Sequence, residues 1–325
     1  MLTSRGSQGA IFVPTKDGDH FETGKRNLCV LIRIGYDIVL QLFNPTSVIF
    51  LLRVHPSRRS LLLAPEDFDM EPDLPIHYYR DSFGNHCGRL NAQAGRIRFR
   101  NHAVVRDSGE PDIFAPEAEE EAVWRMPSDA LTFLLPSRYC EVDSDLMRFA
   151  WEKFGPIAPG WSRVQAICDF VHEHIRFDYQ HARSNRTALG AFRERVGVCR
   201  DFTHLAITLC RCLNIPARYV TGYLGDIGVP PMDAPMDFSA WMEVYLNGRW
   251  FSFDARHNQP RIGRIVIARG RDAADVPITM VFANHHLEKF AVVTEEIQMN
   301  GKHHAQVERA VHPAPQAHSE LLSVE

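Results

Sequence analysis

The hydrophobic period of this chain changes once, and that change constrains the fold more than any single motif. From Leu28 onward apolar residues alternate with polar ones: Ile32, Ile34, Tyr36, Ile38, Leu40 and Leu42 stand between Arg33, Gly35, Asp37 and Gln41. A period of two puts one set of side chains on one face of a strand, so these segments are half-buried strands. Similar alternations run through Val48, Phe50, Leu52 and Val54, after the turn signal Asn44-Pro45-Thr46, and through Ile97 and Phe99 between Arg96, Arg98 and Arg100. Two packed sheets are the natural way to bury such faces. Beyond Pro136 the period becomes 3.6: Val164, Ile167, Cys168, Val171 and Ile175 form one helical stripe, with Ser162 as the expected N-cap.

A second helix is expected from Cys199, with Phe202, Leu205, Ala206, Leu209 and Leu213 on one stripe and Asn214 and Pro216 ending it. Strands follow. The short apolar run 217–224 precedes two segments, 238–246 and 249–254, that flank Asn247-Gly248. That dipeptide is a strong hairpin signal, because both central positions of a type I′ turn need positive φ. The fold class is therefore α+β, with an N-terminal antiparallel β-sandwich-like domain and a core of helices packed on an antiparallel sheet. The expected organisation is a tail at 1–27, a β domain at 28–136, a core at 137–300 and a disordered tail at 301–325. The proline-rich, acidic stretch 107–121 reads as a connector.

Composition narrows the function. Lys+Arg of 36 against Asp+Glu of 40, with no long basic run, gives no electrostatic reason to expect nucleic acid or an anionic membrane. A peptide or protein partner fits better. The seven cysteines are scattered rather than dense, so a reducing compartment and a cytoplasmic location are expected. Cys210 and Cys212 point in different directions on a helix, and His172 with His174 likewise, so no metal site and no cofactor is expected. The first residues lack an apolar core of signal-peptide length, and the stretch 28–54 is too interrupted to span a membrane.

Cys199 lies just after Gly197, at the start of its helix, where unpaired backbone amides favour thiolate over thiol. With a two-residue hairpin loop, Leu246 faces Arg249 and Trp241 faces Asp254. Position 239 is then diagonal to Asp254 on the same face, a separation of roughly 7 to 8 Å that a long side chain can bridge.

At these residues the sequence resembles the bacterial transglutaminase-like family of thiol enzymes, which share a papain-like Cys-His-Asp constellation. The matching blocks are GVCRDFTHLAITLCRCLNIPARYVTGYLGD, MDFSAWMEVYLNGRW and FDARHNQPRIGRIVIARGRDAADV, and the strand-rich region 28–136 looks like the β domain these proteins carry. The resemblance implies that Cys199 is the nucleophile and Asp254 the residue that orients the imidazole. It implies also that Trp241 walls the cleft. Where many relatives read His-Ala-Trp, however, this chain reads Ser239-Ala240-Trp241, and a hydroxyl cannot hold the proton an imidazole shuttles.

Other histidines are candidates for the missing base. His204 is five residues past Cys199, about 140° around the helix and about 7.5 Å along it, and is better placed to hydrogen-bond Asp201 as a structural residue. Ideal register sets His257 opposite Phe238, away from Asp254; a bulge or turn at Arg256 would swing its ring back toward the thiol. A water held by Ser239, or loss of the base, are the remaining alternatives. The arginines at 261, 264, 269 and 271 read as surface partners of nearby acids. The expected function is a thiol acyl-transfer enzyme working through a Cys199 thioester, with hydrolysis favoured over cross-linking and the Cys199 N–H as one oxyanion donor. The rival is a relative that keeps the cleft to bind peptide or protein without turnover.

Overall fold

A computed structural model describes residues 29–231 and 236–297. The tails expected at 1–27 and 301–325 lie outside the described residues. Strands β1 (Val30–Leu42), β2 (Thr46–Phe50), β3 (Asp67–Glu71), β4 (His77–Arg80), β5 (His86–Ala92) and β6 (Gly95–Asp107) come first. Then follow α1 (Ser128–Leu131), α2 (Asp145–Phe154), α3 (Trp161–His174), β7 (Arg176–Phe177), α4 (Ala188–Glu194), β8 (Val196–Gly197) and α5 (Cys199–Cys212). The described chain closes with β9 (Ala217–Tyr223), β10 (Ser239–Leu246), β11 (Arg249–Phe253), β12 (Ile265–Gly270), β13 (Thr279–Val281) and β14 (His285–Glu296).

The period-two segments form two four-stranded sheets, ordered β14-β1-β6-β3 and β13-β2-β5-β4. All pairings within them are antiparallel. Their inner faces meet: Phe50 of β2 lies 5.2 Å from Phe99 of β6 and 5.9 Å from Phe68 of β3, between ring centroids. Ile32, Ile34, Ile38, Leu40 and Leu42 of β1 are buried with them. The two strands nearest the C-terminus of the described chain join these sheets, β14 along β1 and β13 along β2. The alternation at 48–54 is only half strand. β2 ends at Phe50, and Leu52 and Val54 stay buried in chain that runs on to β12, where the His55 N–H bonds Val266 O at 2.9 Å.

A third sheet, β11-β10-β9-β12, is also antiparallel and carries α5 on one face. Its hairpin forms as the sequence requires. Asn247 and Gly248 have φ of 47° and 78°, and pairing runs from Leu246 opposite Arg249 to Met242 opposite Phe253. α5 differs from the one-sided stripe expected, because every residue from Asp201 to Leu213 is buried between the sheet and helices α2, α3 and α4. The N-cap of α3 is Gly160, at φ 100°, and not Ser162; a Cβ there would come within 2.4 Å of Ala118 O, so the close approach of the connector requires glycine. None of the described helices is long and apolar enough to cross a membrane.

Arg211, 1% exposed in the last turn of α5, ties this core together. Its guanidinium donates to Ala217 O at 2.8 and 3.1 Å, Leu135 O at 3.1 Å and Ser137 Oγ at 3.1 Å, and also to Arg271 O. Substituting Arg211→Met leaves the buried Ala217 O and the part-buried carbonyls of Leu135 and Arg271 without this charged donor, at a cost of about 1 to 3 kcal/mol for the buried one and less for each of the others. Urea denaturation should show a loss of about 3 kcal/mol with an unchanged slope.

Candidate active site

The start of α5 is held by a buried carboxylate. Asp201, 0% exposed, accepts the Val198 N–H at 2.9 Å and the Arg186 guanidinium at 2.8 Å. Its Oδ2 would lie 2.5 Å from a Cβ on residue 197, which explains Gly197: the glycine makes room for this carboxylate rather than breaking the chain. Gly197 is in fact paired with Phe177 in the short parallel sheet β7-β8, so the residues before the helix are fixed on both sides.

Cys199 is the first residue of α5 and is partly exposed. Burial of its sulfur pushes the thiol up to about 11; the Arg256 guanidinium and a hydrogen bond from the Ala240 N–H act against this, while Asp237 adds to it. The helix-start setting thus does not leave a free thiolate near neutrality. Asp237 is itself raised to about 6 by burial, despite the Phe238 N–H at 2.6 Å and the attraction of Arg256. Arg256 lies 3.8 Å above the Phe177 ring, and its charge acts to lower the Tyr179 hydroxyl, which burial pushes up to about 12. Arg256, Asp237 and Tyr179 therefore surround the thiol. Sequence reasoning did not find Asp237 or Tyr179, whose only signal is their position just before β10 and just after β7.

Asp254 follows β11 and folds the chain into one tight turn. Its Oδ1 accepts the Arg256 and His257 N–H groups at 3.0 and 3.1 Å, and the Asn258 N–H bonds Asp254 O at 2.7 Å. The turn ends at Asn258, with φ 49°. Its outer side is tied to α3: Asp169 accepts from Asn258 Nδ2 at 2.8 Å, and the His172 ring lies 2.9 Å from Arg256 O. This turn returns the His257 ring to Asp254, with Nδ1 2.8 Å from Oδ2. Ideal strand register would have pointed it away.

Asp254 Oδ2 also accepts Arg264 Nη1 at 3.1 Å, and Arg264 Nε in turn meets Asp112 Oδ2 at 2.8 Å. Burial alone would raise Asp254, but Arg264, followed by His257, holds its carboxyl well below the usual carboxylate range. Arg264 and Arg261 are 5% and 3% exposed, so these pairs are buried and not the surface pairs expected. Arg261 bonds Asp226 at 3.0 Å and Gly225 O at 2.8 Å, and Arg269 bonds Glu243 at 2.8 Å. Arg271 pairs with Asp275 at 2.9 Å and is the more exposed of the four.

Ser239 opens β10 opposite Gly222 and is buried. Register puts it on the Trp241 and Asp254 side, away from Ala240, Met242 and Val244, which join the main core. Trp241 packs with Val220 and Val266, and the Arg264 guanidinium is 5.1 Å from its ring, so it supports the carboxylate pair from the face opposite α5. His204 is fully buried and does not pair with Asp201, whose partner is Arg186. Its Nε2 instead accepts the Ala273 N–H at 3.2 Å, and its ring stacks on Tyr139 at 5.0 Å. Burial holds it well below the usual imidazole range, as a neutral structural residue.

Two measurements check this electrostatic picture. Arg264→Met leaves Asp112 and Asp254 buried without their shared cation and should cost about 3 to 5 kcal/mol in urea denaturation. The raised carboxyl of Asp237 opposes folding once it ionises: any stability it lends is present below the unfolded value near 4 and lost as pH rises through about 6. Asp237→Asn should therefore stabilise the protein at pH 7, by up to about 3 kcal/mol, and have little effect at pH 4.

A family model described as the Transglutaminase-like superfamily matches residues 152–255, the stretch from the end of α2 to Asp254 and the residue after it. An uncharacterized protein of Mycobacterium tuberculosis is 32% identical over 161 residues, 46% of this chain and 50% of that protein. One from Mycobacterium leprae is 30% identical over 117 residues, 34% and 40% of the two chains. The chain thus matches about half the length, or less, of these curated relatives. The crystal structure of a candidate cysteine protease from Cytophaga hutchinsonii superposes with a TM-score of 0.72 at 32% identity, covering 83% of this chain and 91% of that one. A family model over residues 152–255 and a solved relative that is 32% identical and covered over 91% of its length show that the chain belongs to the transglutaminase-like superfamily.

Proposed function

We propose that this protein is a thiol acyl-transfer enzyme that cleaves an amide or peptide bond through a Cys199 thioester, with His257 as its base in place of the family's histidine at position 239. The observation that carries this reading is the turn at 254–258. It sets the His257 ring on Asp254 at 2.8 Å, while the next residue back, Arg256, reaches the surroundings of Cys199. On this reading the His257 imidazole reaches the thiol beside its chain neighbour Arg256.

The chemistry follows from the electrostatics. A thiol pushed up to about 11 stays protonated at neutral pH and needs a base to take its proton as it attacks. Asp254, held ionised by Arg264, would fix the His257 tautomer that donates from Nδ1 and leaves Nε2 free to accept. The Sγ–C bond forms as the proton moves to Nε2; the C–N bond then breaks as the imidazolium protonates the leaving amine, which departs and leaves the acyl group on Sγ as a thioester. Water then cleaves the thioester, Sγ leaving as thiol. Arg256 and the Ala240 N–H would stabilise developing negative charge on sulfur, and the Cys199 N–H that on the carbonyl oxygen. Ser239 leaves room where the family's imidazole stands.

The rival reading, a peptide- or protein-binding module without turnover, is favoured by Ser239 and by the high thiol pKa. An activated ester separates the two. With p-nitrophenyl acetate, wild type should form an acetyl thioester on Cys199, seen by intact mass, and release nitrophenolate continuously. Cys199→Ala should do neither, and His257→Ala should slow acylation by about 100-fold or more. Wild type no faster than Cys199→Ala would leave the binding module standing.

A further inference from the structure

The parallel pair β7-β8 ends with Phe177 opposite Gly197, and one step on the Asp178 N–H donates to Gly197 O at 2.9 Å. Tyr179 and Cys199 each stand two residues past that last pair. They therefore leave the same end of two adjoining strands, which lie about 4.8 Å apart. The turn that carries Tyr179 is fixed from within: Asp178 Oδ1 accepts the Gln180 N–H at 2.9 Å, and the Ala182 N–H donates to Tyr179 O at 3.0 Å. The Tyr179 ring meets the Phe177 ring edge-on at 4.9 Å, and the Arg256 guanidinium lies over that same Phe177 ring. Asp237, Arg256 and Cys199 are the charged groups that act on the Tyr179 hydroxyl, so the hydroxyl belongs to the thiol's surroundings.

Attack by Sγ on a carbonyl puts the developing negative charge on an oxygen two bonds from the sulfur, where preorganised donors stabilise it. The Cys199 N–H supplies one such donor, and its neighbours narrow the choice of a second. The Ala240 N–H is engaged with the sulfur itself. Trp241 lies on the face of the sheet opposite α5. Tyr219, another phenol that senses the thiol, is 4% exposed and packed against His204 at 5.2 Å. Tyr179 is half-buried and so open to a substrate. Burial pushes its hydroxyl up to about 12, so at neutral pH the phenol keeps its proton and can donate it in a hydrogen bond.

We propose that the Tyr179 hydroxyl is the second oxyanion donor of this site, acting with the Cys199 N–H on the carbonyl oxygen under attack. The inference rests on acyl transfer at Cys199. As the Sγ–C bond forms, the carbonyl π electrons move onto oxygen, and the two donors hydrogen-bond it; as the leaving group departs, the C=O bond re-forms. The phenol keeps its proton throughout. It therefore serves only reactions that pass through a tetrahedral intermediate. Alkylation of the same thiol by iodoacetamide forms an Sγ–C bond at a saturated carbon and expels iodide, with no oxyanion.

Comparing the two reactions in the full chain tests the role. Nitrophenolate release from p-nitrophenyl acetate reads acylation, and peptide mass after iodoacetamide reads alkylation at Cys199. Tyr179→Phe, which deletes the hydroxyl and keeps the ring, should slow acylation about 100-fold and leave alkylation within about twofold of wild type. The preserved alkylation rate shows that the variant is folded with its thiol intact, and Tyr179→Met is read in the same way should the Phe variant not fold. Acylation at the wild-type rate would overturn the proposal. An equal loss in both reactions would overturn it too, because it would make Tyr179 a residue that positions the thiol. Wild type no faster than Cys199→Ala in acylation would remove the acyl-transfer reading itself, and this donor with it.

Discussion

The site depends on one buried ion pair. Asp254 and Arg264 are both almost fully enclosed, and a carboxylate there persists only because the guanidinium is 3.1 Å away and is itself shared with Asp112. Removing a charge from water costs several kcal/mol, so neither member is tolerable without the other. With Arg264 neutralising it, Asp254 has capacity for three further donors: the Arg256 and His257 amides and the His257 ring. Those bonds shape the turn. The connector segment that supplies Asp112 is thus a structural part of the site, although it comes from the far end of β6.

On the proposed reading, this arrangement makes a serine at position 239 compatible with the family's chemistry. Register puts position 239 and Asp254 on one face, so an imidazole at 239 would reach this carboxylate along the strand. Here an imidazole reaches it from the turn, and Oδ2 cannot serve two rings in the same way. On the proposed reading the acid that orients the ring is unchanged in place, and the ring's origin has moved by one element. Arg256 moves with it, carried to the thiol's side by the same turn.

Local features were legible in the sequence, and long-range ones were not. Asn247-Gly248 fixed the hairpin because the conformational demand of a type I′ turn falls on two adjacent residues, and from it the Trp241 and Asp254 faces followed by counting. The start of α5 was legible, but the reason for Gly197 was not, since it lies in the packing of Asp201. His204 was expected on Asp201 by helical spacing; Arg186, fifteen residues back, took that carboxylate instead. The joining of β13 and β14 to the first two sheets left no local signal, because strand pairing across more than 200 residues is decided by which faces remain to be covered. The turn at 254–258 could be foreseen only as a possibility. Its cause is the Arg264 charge that makes Asp254 a strong acceptor, and alternation alone does not report charge pairing.

The central claim is that an imidazole at 257 does the work of the one missing at 239. The rate of iodoacetamide alkylation at Cys199 against pH tests it most directly, in wild type, His257→Ala and the double variant Ser239→His with His257→Ala. The account predicts that wild type reacts well below pH 11, that His257→Ala reacts only as pH approaches about 11, and that the double variant recovers the reaction at lower pH. An identical profile in wild type and His257→Ala would contradict it.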